Sequence, residues 1–324
     1  MHGKDEMKQR NFQMIKTNGV VLRTVVEGRG PLVVLLHGFP QCWYLWRHQI
    51  DPLVAAGFQV AAPDQRGYGG SERPEPIEAY DIVELSNDVA GLASALGHER
   101  FIVVGHDWGA PVAWHTALLH PGRVRAVVGM SVPYSRWQAG RLTRQENFGD
   151  HFWYIAYFQK PGVAEAELEA DIRKSLRMIY YSICGEAPKG LWSVRKPASA
   201  GFLEGLIDPA SMPAWLSEED LDYYVAQYQR SGFRGPLNWY RNIDRNVEIT
   251  PQLETAKIEQ PAFFIAGSKD PVLSFAGGGW LAHMDQRLTQ LRGKLIVEGA
   301  GHWVQAEAPT PVNEALIGFL KSVP

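Results

Sequence analysis

The chain has 324 residues, enough for one large domain or two ordinary ones. Its 32 Lys and Arg residues against 35 Asp and Glu residues give a formal net charge of −3, which argues against nucleic acid or an anionic membrane surface as the main partner. Hydrophobic residues make up 45% and charged residues 21% of the chain, so we expect a folded globular protein.

Two features of the sequence indicate the compartment. Cys42 and Cys184 lie far apart and form no C-x-x-C pair, which predicts neither a disulfide framework nor a zinc site. Residues 1–10 are polar with no apolar run behind them, and no apolar run in the sequence approaches membrane-spanning length. We therefore expect a cytoplasmic protein.

The chain opens with a predicted β-hairpin and continues with predicted buried strands. Asn18-Gly19 separates two β-rich runs within residues 14–27, and this dipeptide supplies the positive φ angles of a tight turn. Short aliphatic runs that are typical of buried parallel strands follow at residues 32–36, 58–62, 101–104, 125–130, 262–266 and 295–297.

Helical periodicity lies between several of these runs. It is clearest at residues 80–96, where apolar side chains recur in steps of three and four, Asp81 is placed to cap the first turn, and Gly97 closes the last. A second helical segment spans residues 110–119. Because strands and helices alternate, we predict an α/β fold with a mostly parallel, doubly wound sheet.

The alternation stops at Pro133 and resumes at Pro261. The stretch between them has helical periodicity at residues 165–180 and 221–228, the latter behind a Ser217 cap, and it holds nine of the twelve tyrosines. We interpret it as a helical lid.

In this interpretation residues 134–260 form the lid, and residues 1–133 and 261–324 form the two parts of the α/β core. A linker with surface helices is the alternative, which is less favoured because loops of such length rarely lack a function. The run Gly277-Gly278-Gly279 has no explanation in either reading.

The pentapeptide Gly105-His106-Asp107-Trp108-Gly109 directly follows one buried run and precedes the helix at residues 110–119. Strand, sharp turn and helix form the setting of a nucleophile elbow, in which glycines two residues on either side of the nucleophile prevent backbone clashes. The central residue is Asp107, where hydrolases of esters carry Ser. A lone Asp at such a turn is usually a helix cap, and the flanking glycines favour the nucleophile.

Two further polar side chains follow predicted strands. Asp270 comes after the run at 262–266, and His302 comes after the run at 295–297. Ligands bind at the carboxyl edge of open α/β sheets, and the chain order nucleophile, acid, histidine is that of α/β-hydrolases. Taken alone, Asp270 would be interpreted as a turn residue and His302 as a surface loop residue. Together with Asp107 they predict a catalytic triad.

On these residues the chain resembles the soluble-type epoxide hydrolases of the α/β-hydrolase fold. The likeness covers nearly the whole chain, from His37-Gly38-Phe39-Pro40 through Asp64-Gln65-Arg66-Gly67-Tyr68-Gly69 and the Asp107 turn to His302-Trp303. It implies the α/β-hydrolase fold with an inserted lid and the hydrolysis of an epoxide to a vicinal diol.

Two segments of the interpreted lid extend this resemblance. Residues 154–162 and residues 238–242 resemble the family segments that carry two paired tyrosines. The resemblance implies that Tyr154 and Tyr240 are those phenols.

An Asp nucleophile restricts the kind of carbon that is attacked. A carboxylate is ionised at neutral pH and needs no base, and its attack on the sp³ carbon of an epoxide leaves a stable alkyl ester. Two phenols with pKa values near 10 can hydrogen-bond the ring oxygen and pass it a proton. His302, held by Asp270, would then activate water against the ester.

The oxyanion formed in that second step needs backbone N–H donors. Trp108, directly after the nucleophile, and Phe39, from the loop after the third strand, are placed to supply them. We also expect the rings of these two residues in the substrate pocket.

A dehalogenase is the nearest alternative, because dehalogenases share the Asp nucleophile, the neighbouring Trp and the His base. Haloalkane dehalogenases usually carry Asn at the position of Phe39, and fluoroacetate dehalogenases usually carry Arg at the position of Trp108. Some dehalogenases place the acid after the sixth strand, but Ser131-Val132-Pro133 offers no carboxylate, which leaves Asp270. A halide also leaves without a proton and has no use for two phenols.

Two alternatives from other classes are weaker. A non-catalytic binding protein on the same fold often lacks a triad member, whereas all three are present here. An esterase is disfavoured because Asp107 stands where its serine would be.

The sequence implies no cofactor. His37 and His106 are interpreted as structural, because no third ligand lies at metal-site spacing. The run Gly67-Tyr68-Gly69-Gly70 does not match a dinucleotide fingerprint, so neither a nicotinamide nor a flavin is implied. The expected partners are a small epoxide and water, without nucleic acid or membrane, and the expected state is a monomer or homodimer.

Overall fold

The apolar runs of the sequence come together in one sheet. A computed structural model describes residues 10–192 and 196–323. The strands in these residues are β1 (Phe12–Thr17), β2 (Val20–Glu27), β3 (Leu32–Leu36), β4 (Gln59–Pro63), β5 (Phe101–His106), β6 (Val124–Met130), β7 (Ala262–Gly267) and β8 (Leu291–Val297). Their order is β1-β2-β4-β3-β5-β6-β7-β8. The pairs β1–β2 and β2–β4 are antiparallel and the others are parallel, which confirms the mostly parallel sheet.

Helices connect the parallel strands. They are α1 (Arg47–Ala55), α2 (Ile82–Ala95), α3 (Gly109–Leu119), α4 (Tyr154–Tyr157), α5 (Val163–Ala170), α6 (Ile172–Ser182), α7 (Glu218–Ser231), α8 (Arg234–Arg241), α9 (Ile243–Glu248), α10 (Gly279–Arg287), α11 (Val304–Glu307) and α12 (Pro309–Ser322). Short 3-10 helices span Trp43–Trp46, Ile77–Tyr80, Gln145–Phe148, Pro251–Leu253 and Pro271–Gly278. The unexplained Gly277–Gly279 run is the junction between the last of these and α10.

Two local predictions from the sequence are confirmed. Asn18 and Gly19 have φ angles of 38° and 77° and form the turn of the β1–β2 hairpin. The carboxylate of Asp81 accepts hydrogen bonds from the N–H groups of Val83 and Glu84, and it thereby caps α2.

Position in the sheet explains how apolar each strand is. β3 and β5 lie inside the sheet and are buried along their whole length, as their uninterrupted apolar runs predict. β8 is an edge strand whose residues alternate between half-buried and exposed. Arg292 and Lys294 face solvent, so the strand begins earlier than its apolar run at 295–297 indicates.

The helical periodicity predicted over residues 165–180 is confirmed, but it is divided between two helices, because α5 and α6 are separated at Asp171. This residue has an extended backbone, with φ −149° and ψ 93°, and its side chain accepts a hydrogen bond from the Lys174 N–H. A capping Asp starts a new helix and competes with a continuous one. The predicted Ser217 cap is confirmed, since Ser217 and Asp220 form a reciprocal capping box at the start of α7.

No helix in residues 10–192 and 196–323 combines the length and the apolar character needed to cross a bilayer. Residues 1–9, most of the polar N-terminal segment, lie outside the described residues. Cys42 and Cys184 are both buried and form no disulfide, as their spacing predicts.

Candidate active site

Asp107 lies at the turn between β5 and α3. Its φ angle of 51° is uncommon for a residue other than glycine. A Cβ atom at Gly105 would overlap the carbonyl oxygen of Gly109, and one at Gly109 would overlap that of Leu36. The predicted strand, turn and helix are therefore present, and the two glycines are needed for the reason that the sequence indicated.

Asp270 and His302 meet Asp107 at the carboxyl edge of the sheet. Asp270 follows β7 and His302 follows β8, so both lie where the ends of parallel strands converge. The Nε2 atom of His302 is 3.4 Å from Oδ2 of Asp107. Its Nδ1 atom is 3.1 Å from Oδ1 and 3.2 Å from Oδ2 of Asp270. The structure thus brings the three predicted residues together in the expected order.

Ser131 joins this cluster, and sequence reasoning missed it. It follows β6, the strand between β5 and β7, and it is buried. Its hydroxyl lies 2.5 Å from Oδ2 of Asp270 and 2.8 Å from Nδ1 of His302. Sequence reasoning treated the position after the sixth strand only as a place for a carboxylate. The available signal was a polar residue directly after a buried parallel strand.

The loop after β3 supplies a backbone donor to the Asp107 carboxylate. The N–H of Phe39 donates to Oδ1 at 2.7 Å. Gly38 permits this approach, because a Cβ atom there would overlap the Asp107 side chain. Trp108 directly follows Asp107 and precedes α3. Phe39 and Trp108 both present their rings edge-on to Tyr240, with ring centroids 5.5 Å and 5.1 Å away.

Two cavities meet at Asp107, and Tyr154 and Tyr240 line both of them. Tyr154 begins α4 and Tyr240 lies near the end of α8, and their ring centroids are 6.0 Å apart. Phe39 lines one cavity and Trp108 lines the other. The two tyrosines that the resemblance implies are therefore adjacent to the predicted nucleophile.

Burial and neighbouring charges set the protonation of these groups. Burial disfavours the Asp107 carboxylate, but hydrogen bonding and charge from His302 outweigh it and lower the pKa of Asp107. Burial also disfavours the His302 cation, yet Asp270 and Asp107 raise the pKa of His302 to about 10. Burial, and then the Asp107 charge, raises the pKa values of Tyr154 and Tyr240. These shifts favour a carboxylate at Asp107, a protonated His302 and neutral phenols in the resting site.

His37 and His106 lie buried beside the site. Burial lowers the pKa of each to about 4, so both are neutral at pH 7. His37 Nδ1 is 3.0 Å from the Gly38 carbonyl oxygen, and His106 Nε2 is 2.7 Å from the His302 carbonyl oxygen. These contacts support the structural interpretation. In the described part of the chain, no group of three or more potential ligands is arranged to hold a metal ion.

Comparisons with known proteins assign the family. A family model described as alpha/beta hydrolase fold matches residues 31–309. Epoxide hydrolase A of Mycobacterium tuberculosis is 47% identical over 319 residues, which cover 95% of this chain and 96% of that protein. The crystal structure of epoxide hydrolase A from Mycobacterium thermoresistibile has 47% identity and a TM-score of 0.91, covering 98% of this chain and 99% of that one.

An epoxide hydrolase from an endophytic Streptomyces is similar in structure too, with 40% identity and a TM-score of 0.92, covering 97% of this chain and 96% of that one. Fold and family model together define the class as that of the α/β-hydrolases. Within this class the chain belongs to the epoxide hydrolases, as its resemblance predicted.

Proposed function

We propose that the protein adds water to an epoxide and releases a vicinal diol through a covalent ester on Asp107. One observation carries the proposal: Asp107, Tyr154 and Tyr240 line the same two cavities. An ionised carboxylate attacks an sp³ carbon without help from a base. The departing ring oxygen needs a proton, which a phenol supplies. A halide needs none, so this pairing favours an epoxide over the dehalogenase alternative.

In the first half-reaction, Oδ2 of Asp107 attacks a ring carbon and the ring C–O bond breaks. Oδ1 already accepts the Phe39 N–H and becomes the carbonyl oxygen of the ester. Tyr154 and Tyr240 hydrogen-bond the ring oxygen, and one of them gives it a proton, so that a hydroxyl group forms.

In the second half-reaction, His302 acts as the base. Ester formation neutralises Asp107 and so removes one of the charges that raise the pKa of His302. Alkylation thus favours loss of the Nε2 proton, which restores the phenol that protonated the ring oxygen and leaves neutral His302 ready to act as the base. The activated water adds to Cγ of Asp107. The negative charge on Oδ1 is stabilised by the Phe39 N–H, with the Trp108 N–H as the second donor of the proposed oxyanion hole.

The ester then breaks between Cγ and Oδ2. The diol leaves with Oδ2, and the oxygen of the water stays in the Asp107 carboxylate. Hydrolysis of the ester to a carboxylate releases one proton, which leaves His302 protonated as in the resting site. The chain returns to its starting state, and atoms and charges balance.

Residues 134–260 act as a lid in this proposal, over a core of residues 1–133 and 261–324. The origin of both phenols in helices between β6 and β7 supports that division. Two cavities beside one carboxylate suit an epoxide with apolar groups on both ring carbons, since rings such as Phe202 and Trp137 line them. We also propose a cytoplasmic location, which the buried, unpaired cysteines support.

The test is to isolate the ester with styrene oxide as substrate. His302→Gln should accumulate an adduct on Asp107, visible by intact-protein mass spectrometry and located by peptide mapping, because alkylation does not need the base. The parent enzyme, taken through one turnover in oxygen-18 water, should carry the label in Asp107 and release an unlabelled diol. Label in the first diol, with no adduct on the variant, would refute the covalent path. Bromide release from 1-bromobutane with no diol from epoxides would favour the dehalogenase.

A further inference from the structure

The hydroxyl of Ser131 lies between Asp270 and His302, the base of the proposed mechanism. Its Oγ atom is 2.8 Å from His302 Nδ1, whereas the two Asp270 oxygens are 3.1 Å and 3.2 Å from the same nitrogen. The nearest polar partner of Nδ1 is therefore the serine and not the carboxylate. Ser131, Asp270 and His302 are all buried, so solvent does not compete for these contacts.

The chemistry of the three groups fixes the direction of each hydrogen bond. A hydroxyl has one proton to donate, and an ionised carboxylate can only accept. Ser131 therefore donates to Oδ2 of Asp270, at 2.5 Å, and its lone pairs face His302. Nδ1 of His302 must then carry a proton and donate to Ser131. This arrangement requires the tautomer in which a neutral His302 has Nε2 free to take a proton from water.

The backbone holds Ser131 in a conformation that serine rarely adopts. Its φ angle is 69°, a region that favours glycine, and its N–H donates to the Ile265 carbonyl oxygen of β7 at 2.8 Å. The other oxygen of Asp270, Oδ1, accepts the Val272 N–H at 2.9 Å. Each Asp270 oxygen thus has its own donor, and the carboxylate is oriented from two sides.

We propose that Ser131 is a positioning residue, which holds His302 in its Nδ1-protonated form and orients Asp270 for hydrolysis of the ester. The inference rests on the proposed function. Alkylation uses Asp107 and the phenols, so it does not depend on the His302 tautomer. Hydrolysis does depend on it, because only a free Nε2 can accept the proton of water. Ser131 therefore acts on one half-reaction and not on the other.

The experiment measures the two half-reactions separately in Ser131→Ala and Ser131→Gly. Rapid-quench mass spectrometry with styrene oxide follows formation and decay of the Asp107 adduct. We expect ester hydrolysis to slow about 10- to 100-fold in both variants, because each loses a hydrogen bond to a charged group. The rate of alkylation should stay within about twofold of the parent. Glycine adopts the positive φ angle without strain, so it separates loss of the hydroxyl from strain in the alanine variant.

A matched control is Ser86→Ala, which also removes a buried hydroxyl. Ser86 Oγ donates to the Ile82 carbonyl oxygen at 2.7 Å within α2, outside the site, and this variant should keep both rates. Hydrolysis at the parent rate in Ser131→Gly, or an equal fall in both half-reactions, would overturn the inference. If the parent itself forms no ester on Asp107, it is the proposed function that fails.

Discussion

The sheet and the segment between β6 and β7 hold their parts of the site in different ways. Asp107, Asp270 and His302 each follow a strand of one sheet, so the backbone determines where their side chains meet. Tyr154 and Tyr240 lie on α4 and α8, helices of four and eight residues whose positions depend on side-chain contacts. The proposed nucleophile and base are thus fixed by the fold, whereas the proposed acid is fixed by packing.

On the sheet side, even the loop that carries His302 is fixed by hydrogen bonds. The Glu307 carboxylate accepts the N–H groups of Gly185, Gly301 and Trp303 at 2.7, 2.9 and 3.0 Å. Three charge-assisted bonds to backbone donors leave this loop little freedom.

On the other side, side chains connect the two helices that carry the phenols. Arg241 follows Tyr240 and donates through Nε to the Phe158 carbonyl oxygen at the end of α4, at 3.0 Å. A second hydrogen bond joins the same two helices in the opposite direction: Nε2 of Gln159 donates to the Tyr240 carbonyl oxygen at 3.0 Å. The spacing of the phenols thus depends on a few side chains, and the two regions should respond differently to substitution.

The largest effect is expected at Asp107, the central residue of the group that follows the strands of the sheet. Asp107→Ala should lower diol formation by about 10⁵-fold or more, because no other carboxylate lines the two cavities beside it. Diol formation from styrene oxide is the measurement, with circular dichroism to confirm the fold. Asp107→Asn is the matched control for shape, since Asn tolerates a positive φ angle. Turnover within a factor of about ten of the parent in the alanine variant would contradict nucleophilic catalysis at this residue.

The next largest effect is expected at the phenols, where substitution should slow the first half-reaction and leave the second nearly unchanged. Tyr154→Phe and Tyr240→Phe should each slow alkylation about 10- to 100-fold, and the double variant about 10⁴-fold, because each phenol partly replaces the other as proton donor. Hydrolysis of the ester should change little. Single-turnover mass spectrometry measures both rates.

Tyr157→Phe is the control for this pair. Tyr157 lies on the same short helix as Tyr154, but its hydroxyl donates to Glu167 at 2.7 Å and it lines neither cavity. Its substitution should leave both half-reactions unchanged. Parent-like alkylation in both cavity-facing single variants would mean that other groups protonate the ring oxygen.

The same contrast explains how much of the molecule the sequence could predict. The strands before Asp107 and Asp270 have clear apolar runs, and β8, before His302, has a shorter one. Residues that follow parallel strands lie at the carboxyl edge of the sheet, so these three side chains could be placed together from the sequence. The phenols could not be derived in this way. Four-residue α4 has no periodicity to detect, and Tyr154 and Tyr240 came only from the resemblance.

Ser131 and Asp171 show two further limits. The role of Ser131 depends on hydrogen bonds to residues more than a hundred positions away, which no local pattern records. The apolar periodicity runs on through residues 165–180, so it does not show that the side-chain cap at Asp171 divides the segment into two helices.

The pH dependence of ester hydrolysis tests the part of the site that follows the strands of the sheet. In the resting enzyme Asp270 and Asp107 raise the pKa of His302 to about 10, and the buried groups His106 and Glu307 also lie close enough to interact with its charge. Ester formation removes only the Asp107 charge, so the pKa of His302 should fall. Neutral His302 is the base, and ester hydrolysis should therefore rise about tenfold per pH unit up to that lower pKa and then level off.

The uncharged Asp107→Asn side chain imitates the ester without substrate. Nitrogen-15 NMR of the histidine ring should report a lower pKa for His302 in this variant than in the parent. Equal pKa values in the two proteins would contradict the idea that alkylation prepares the base.

The smallest effect on rate is expected when the connection between the phenol helices is broken. Arg241 also pairs with Glu165 at 2.8 Å, and their side chains are only 3% and 12% exposed. Arg241→Met leaves the Glu165 carboxylate with the Gly162 N–H, at 2.9 Å, and should destabilise the fold by about 1–3 kcal/mol. Alkylation should slow about tenfold through loss of phenol alignment, with ester hydrolysis unchanged. Arg173→Met is the matched control, because its pair with Glu218 is 40% and 58% exposed and contributes little. If Arg241→Met lowers the melting temperature and leaves alkylation at the parent rate, ring packing alone aligns the phenols, and the two regions differ less in how they hold the site.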